Sequence, residues 1–205
     1  PEHSSVERFI PEGERRLASP AMKSHQGDQK KGDARMLEYV DRSYLRDGDF
    51  ARTLYLSQLM QAEGMKTAME AHRRNMPYCM GSLIWQLNDV WPCASWSGID
   101  YYGRWKAMHY FVRKACEPVV VSPYIQGDKT AYRALQYFET MKNAALPAAA
   151  VRIRAEKPDA ATCRITVSSD KLAKNLTLHY KGTAGIFSDN YFDLLPGESR
   201  SVTLT

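Results

Sequence analysis

The sequence predicts an α/β fold over its first part and an all-β fold at its end, and three observations carry that prediction. Apolar residues recur at helical spacing in several runs before Glu117. A short apolar run, Met80 to Leu87, lies between two of those runs and reads as a buried strand, bounded by Pro77 before it and Asn88-Asp89 after it. From Val151 onward the apolar period shortens to two, with Gly and Pro marking turns. A buried strand that runs into an aromatic loop and then a helix is the βα unit of a (β/α) barrel. The period-two segments read as a β-sandwich of immunoglobulin type.

Taken in order, residues 1–32 are polar and punctuated by Pro11, Gly13, Pro20, Gly27 and Gly32, which reads as a long irregular loop. Asp33 to Arg46 places Met36, Leu37, Val40 and Tyr44 on one helical face, with Asp33 positioned as the cap, and Asp47-Gly48-Asp49 breaks it. A longer helix runs from Phe50 to about Arg73, with Ala51, Leu54, Tyr55, Ala62, Met65 and Met69 on one face, interrupted by Gln58. Arg52, Glu63 and Glu70 lie opposite. Gly64 in its middle costs about 1 kcal/mol against Ala and predicts a close packing contact there. Asn75 and Pro77 end the helix.

All four Trp residues lie between Cys79 and Tyr110. Trp85 stands near the end of the predicted strand, where a barrel presents its ligands. Its ring can offer a flat apolar face to a sugar, and Asn88 and Asp89 can fix hydroxyls, though each is equally suited to capping the loop backbone. Trp91 and Trp96 are expected to pack this loop on its neighbours. An amphipathic run from Arg104 places Trp105, Met108, Val112 and Cys116 on one face, so Trp105 is expected in the core. Val119 to Pro123 reads as an extended link. The predicted strands of the final part are Val151–Arg154, Cys163–Val167, Leu176–Tyr180 and Val202–Leu204.

Bulk composition narrows the function classes. The chain has 205 residues and a formal charge of +5. Its basic clusters, Arg15-Arg16, Lys30-Lys31 and Arg73-Arg74, are too short for a phosphate-binding face, so no nucleic-acid partner is expected. No run approaches a membrane span, and no membrane partner is expected. The four cysteines form no Cys-x-x-Cys pair and the histidines are scattered, so no metal site is expected. Cys79 and Cys116 sit in apolar runs and read as small buried hydrophobes, with disulfides left open. Asn175-Leu176-Thr177 matches a glycosylation acceptor, meaningful only in a secretory eukaryotic setting.

Three separated stretches identify a family resemblance. The first is Trp85-Gln86-Leu87-Asn88-Asp89, followed by Trp91-Pro92, Ser95-Trp96, Ile99-Asp100-Tyr101-Tyr102-Gly103 and Trp105-Lys106-Ala107. The second precedes it, Glu70 to Gly81, and the third is Ser188 to Glu198. In this order they resemble the carboxyl-terminal part of the β-mannosidases of glycoside hydrolase family 2. The resemblance implies that residues 1–118 are the last βα units of a (β/α)8 catalytic barrel. Residues 119–150 would be a linker or the remnant of an intervening β-sandwich, and residues 151–205 a terminal immunoglobulin-like domain.

It further implies a retaining exo-β-mannosidase acting on terminal non-reducing β-D-mannose. Trp85 would be the aromatic platform beneath the sugar on the non-reducing side of the cleaved bond, with Asn88 and Asp89 as further substrate contacts. The partners implied are a β-mannoside or mannose-containing oligosaccharide and the remainder of the chain's own barrel. No cofactor is implied. Retaining hydrolysis needs two carboxyls about 5 Å apart. In the family both are glutamates on earlier strands, the nucleophile shortly upstream of Pro1, and neither motif occurs in these residues. These residues are therefore expected to be inactive alone, with no catalytic residue among them. Asp89 and Asp100 flank the strand end but match neither role. The family carries a further β-sandwich where only Ser122 to Ala150 stands here, with an abrupt junction at Gly127-Asp128, so missing residues or a deletion are expected there and before Pro1. The alternative reading is a non-catalytic carbohydrate-binding or scaffold module, distinguished by whether a glutamate-bearing barrel precedes Pro1.

Overall fold

The computed structural model describes residues 1–28, 31–118, 146–181 and 185–205. The predicted link from Val119, the junction at Gly127 and the turn glycine Gly182 lie outside them. Within the stretch expected to be irregular, short helices form at His3–Val6 (α1) and Pro20–Ser24 (α2), with a 3-10 turn at Glu12–Glu14. Ser19 caps α2 by accepting from the Met22 amide, and Val6, Ile10 and Met22 are buried with Leu54 and Ala94.

Helix α3 spans Gly32–Ser43 and α4 spans Phe50–Arg74. The first is preceded by Lys31, not capped by Asp33. Asp33 lies inside the first turn, where its carboxylate accepts from the Ala18 amide at 2.8 Å and from Gln26 Nε2 at 2.5 Å. A longer-range pair of donors has taken the carboxylate from the cap. Helix α3 stops before Arg46 because Tyr44 turns to extended backbone. Asp49 caps α4 through the Arg52 amide at 2.9 Å, and His72, Arg73 and Arg74 complement its carboxyl end. Among the described residues Gly64 meets no close neighbour: nothing lies within 4 Å of a Cβ placed there, so they do not supply the expected packing contact. Leu54, Leu56, Leu59, Ala62 and Met69 are buried along α4.

Helix α5, Ala107–Ala115, starts later than the amphipathic run suggested and packs against α4. Gln58, the polar interruption on α4, is buried and its Oε1 accepts from the Ala107 amide at 3.2 Å, satisfying an orphan donor at the start of α5. At the other end, Arg73 donates to the carbonyls of Ala115 and Glu117, each at 2.6 Å. The two helices therefore run parallel, and the chain between them must travel back along their length.

Met80 to Leu87 makes that return, but not as a buried strand. It forms no strand and bends at Trp85 and Leu87, and Met80, Leu83, Trp85 and Leu87 are exposed. A strand needs neighbours to satisfy its edges, and among the described residues no strand lies beside this one; backbone bonds hold only its end, where Gly98 and Ile99 donate to the Gln86 and Leu87 carbonyls. Burial of the cysteines also differs from expectation. Cys93 is buried, Cys79 is half-buried and Cys116, at the end of α5, is exposed; all four are free. On α5 the buried face is Ala107, Met108, Tyr110, Phe111 and Ala115, while Trp105 just before it is half-buried against the core.

The end of the chain is all-β. Strands β1 (Val151–Glu156), β2 (Cys163–Ser169) and β5 (Ser199–Leu204) form an antiparallel sheet in the order β1-β2-β5. Ala173–Leu176 (β3) pairs with Phe192–Leu194 (β4). Val167, Phe192, Leu194, Val202 and Leu204 share one core with Leu56, Leu59, Tyr110 and Phe111 of the helices. Because the helices cover this face, a small sheet suffices. Tyr55 Oη donates to the Asn175 carbonyl at 2.7 Å, and Lys114 pairs with Asp189 at 2.7 Å across the same seam.

The strand expected at Leu176–Tyr180 ends at Leu176. Beyond it, Asn190 replaces a strand partner: its Oδ1 accepts from the Leu178 amide at 2.7 Å and its Nδ2 donates to the Leu178 carbonyl at 3.0 Å. Asn190 is itself buried. Asn190→Ala should lower stability by about 1–3 kcal/mol in chemical denaturation, since both Leu178 groups lose their partner. A loss under about 0.5 kcal/mol, the range of neutral surface changes, would remove that role. Asn175, at the acceptor pattern, is also buried, and its Nδ2 donates to Glu63 at 3.4 Å. The folded protein offers no access for a glycan there.

Candidate functional site

The loop from Leu87 to Lys106 is closed on itself by backbone bonds. Ile99 donates to the Leu87 carbonyl at 2.9 Å, Asp89 donates to Ile99 at 3.0 Å, and Lys106 donates to Gly98 at 2.8 Å. Gly98 lies close against α5, where an added Cβ would stand 3.0 Å from His109 Nδ1. Its outer arm is fastened by Ala94, which donates to His25 at 2.8 Å and accepts from Gly27 at 2.7 Å. Trp91 stacks on His25 with ring centroids 5.8 Å apart, and the Trp96 carbonyl accepts from Gln61 Nε2 at 2.8 Å. The Trp91 ring thus lies against a neighbouring element, whereas Trp96 is held through its backbone and its side chain is exposed.

Trp85 sits at the carboxyl end of the extended segment with 75% of its surface exposed. The Trp85–Gln86 peptide is cis. Asn88, three residues on, is exposed; its Nδ2 donates to the Asp89 carbonyl at 3.1 Å, and its own carbonyl accepts from Gln86 Nε2 at 3.0 Å. Trp85 and Asn88 therefore both stand open to solvent.

Asp89 is placed differently. Its Oδ2 lies 2.9 Å from Lys106 Nζ, with each side chain only 2% exposed. Ser95 Oγ donates to its Oδ1, and Lys106 also donates to Ser97 Oγ at 2.8 Å. Burial alone would raise the Asp89 pKa, but the Lys106 ammonium and the hydrogen bonds from Ser95 and Lys106 outweigh it and hold the carboxyl below its ordinary value. The same surroundings push the neighbouring Cys93 thiol up to about 11, chiefly by burial, which keeps it inert. Asp100 is likewise buried and occupied. It accepts from Ser5 Oγ at 2.5 Å and from the Tyr102 and Arg104 amides at 2.9 and 3.0 Å, closing a turn in which Gly103 has a φ of +80°.

Lys106, Ser95 and Ser97 are thus part of the site's frame without having been singled out by sequence. A lysine before an apolar helix reads as surface charge, and only the Trp105-Lys106-Ala107 motif marked the position. Among the described residues, no group of three His, Cys, Asp or Glu side chains is arranged to hold a metal, and no helix is long and apolar enough to cross a membrane.

Comparisons with known proteins locate the chain. Residues 146–205 match the Ig-fold domain family of mannosidases. Over 102 residues the chain is 37% identical to a β-mannosidase of Capra hircus, covering 43% of this chain and 12% of that protein. Over 100 residues it is 40% identical to β-mannosidase A of Aspergillus oryzae, covering 46% of this chain and 11% of that one. The chain thus spans only a small part of the length of these relatives. Among solved structures, the β-D-mannosidase of Dictyoglomus thermophilum superposes over 100% of this chain and 34% of its own, with a TM-score of 0.85 at 22% identity. At that identity the likeness speaks for the fold.

Proposed function

From a chain that resembles, in its motifs, its terminal Ig-fold domain and its relatives, the carboxyl-terminal part of family 2 β-mannosidases, we propose that these residues serve a retaining exo-β-mannosidase. They supply the eighth barrel strand and an aromatic sugar platform, while the two catalytic glutamates come from elsewhere in the protein. The observation that carries the reading is Trp85: a large aromatic ring left exposed at the end of an extended segment, on the loop that leads into α5.

The course of the chain supports the barrel part of the proposal. Two parallel helices joined by an extended return are the arrangement of consecutive βα units. The unpaired edges and exposed apolar side chains of Met80–Leu87 are what an eighth strand presents when its neighbours are not in these residues. In that setting Trp85 stacks on the apolar face of the mannose ring and Asn88 fixes a hydroxyl. Asp89 acts at one remove, locking the loop through Lys106. Oriented binding of this kind raises the rate by holding the anomeric carbon in line with the nucleophile.

Physical chemistry also dictates how the 205 residues behave alone. An isolated parallel strand cannot satisfy its edges, so the purified 205-residue chain should be aggregated, oligomeric or rearranged in size-exclusion chromatography, and inactive on a β-mannoside. A monodisperse monomer with a single cooperative melt would contradict the barrel assignment and favour a self-sufficient carbohydrate-binding module.

A further inference from the structure

A cavity that shares no residue with the proposed Trp85 platform opens between the turn after Ile99 and the terminal β domain. Its volume is about 330 Å³, within the range of small-ligand sites. One wall is the turn, with Tyr102, Arg104 and Trp105; the other is the β domain, with Tyr180 and Ile186; Glu2 also lines it. We propose that this seam is a carbohydrate-binding subsite that takes one pyranose ring of an oligosaccharide, and that the terminal β domain thereby reads the glycan instead of serving only as a support.

Three features fit that ligand. First, the rings are held in place before a ligand arrives. The Arg8 guanidinium covers the Tyr102 ring at 3.7 Å, and Trp105 lies against His109 and Tyr110 with centroids 4.3 and 5.3 Å away. Tyr180 packs on Gly185, where a Cβ would come 3.3 Å from its ring. Preorganised aromatic faces suit the C–H-rich face of a sugar, because little ordering cost remains to be met on binding. Second, Tyr180 and Ile186 remain exposed although they line the cavity, so its mouth is apolar and open. Third, polar groups of both signs meet at the cavity. Glu2 Oε2 lies 3.9 Å from Arg104 Nη1 and 3.4 Å from His179 Nδ1. Glu2 and Arg104, which both line the cavity, offer acceptor and donor atoms to hydroxyls.

The choice of a mannose-containing probe rests on the β-mannosidase reading; the site itself does not. The test is titration of the full-length protein with the S-linked analogue of β-1,4-mannobiose, whose thioglycosidic bond resists the hydrolysis proposed above, followed by calorimetry and by saturation transfer to the sugar protons. Cellobiose serves as the control sugar. Six proteins are compared: the parent, Trp85→Ala, Tyr180→Ala, Ile186→Trp, which keeps the backbone bonds while filling the cavity, and the two double variants that add each seam change to Trp85→Ala. Melting curves verify that each is folded. In the Trp85→Ala background, the analogue should still bind, and adding Tyr180→Ala or Ile186→Trp should weaken that residual binding about tenfold, the scale of losing one aromatic contact. If Trp85→Ala alone abolishes binding, the seam is not a site and the platform stands. If Trp85→Ala changes nothing while both seam variants lose binding, the seam stands and the platform reading fails. Absence of binding by the parent overturns both.

Discussion

Replacing Trp85 by alanine in the full-length protein is expected to lower kcat/KM on a chromogenic β-mannoside about 10- to 100-fold, equivalent to roughly 1.4–2.7 kcal/mol of lost transition-state binding. The ring is exposed, so its removal takes away substrate contact without opening a void in the core described above. The melting temperature should therefore stay close to the parent's, and Trp85→Phe should recover part of the loss because a flat apolar face remains. If the ring only fixes the sugar's orientation in the transition state, kcat falls and KM holds. If it binds ground and transition states alike, KM rises alone. Activity within twofold of the parent would remove Trp85 from the site.

The second large effect is on stability. Asp89 and Lys106 form a buried ion pair whose remaining bonds go to Ser95 and Ser97. Removing one partner leaves the other charge buried and unpaired, so Lys106→Met and Asp89→Asn should each cost about 3–5 kcal/mol in denaturant unfolding. The double variant should cost less than the sum of the two, since neither charge is then stranded. The pH dependence has a definite sign. The folded pKa of Asp89 lies below its unfolded value, near 3.9, so its contribution is complete above that value and is lost as pH falls through the folded one. The parent should lose this contribution only below about pH 4, and Asp89→Asn should flatten that part of the acid limb. A variant with unchanged stability and an unchanged acid limb would show that the pair does not hold the loop.

How much was legible in sequence follows from how local each determinant is. Helix α4 was readable almost to the residue because Asp49 caps it and the breaker Asp47-Gly48-Asp49 precedes it. The alternating strands β1, β2 and β5 announced themselves by period two. What failed were features set by distant partners. Asp33 had the right type and place for a cap, but Ala18 and Gln26 claimed its carboxylate. Gly64 suggested a tight contact that none of the described residues supplies. The strand predicted at Leu176–Tyr180 gave way to the Asn190 side chain, which no periodicity could signal. For Met80–Leu87 the apolar run was legible, but among the described residues no strand lies beside it, and Met80, Leu83, Trp85 and Leu87 stay exposed.

The candidate site divides along the same line. Trp85 and Asn88 were found by residue type and motif, and both stand open to solvent. Asp89 has the same chemistry on paper, yet a lysine seventeen positions away takes it into the interior. Residue type identifies groups able to meet a sugar, and only the fold decides which of them are still available.

The most direct test of the account is to follow hydrolysis of p-nitrophenyl β-D-mannopyranoside by the full-length protein, reading the anomeric proton of the released sugar by NMR from the first turnover. The account predicts turnover with β-mannose appearing first and the α anomer only later, through mutarotation. Release of α-mannose first would contradict the retaining mechanism. No turnover of the mannoside, with cleavage of another β-glycoside instead, would contradict the assignment to mannose.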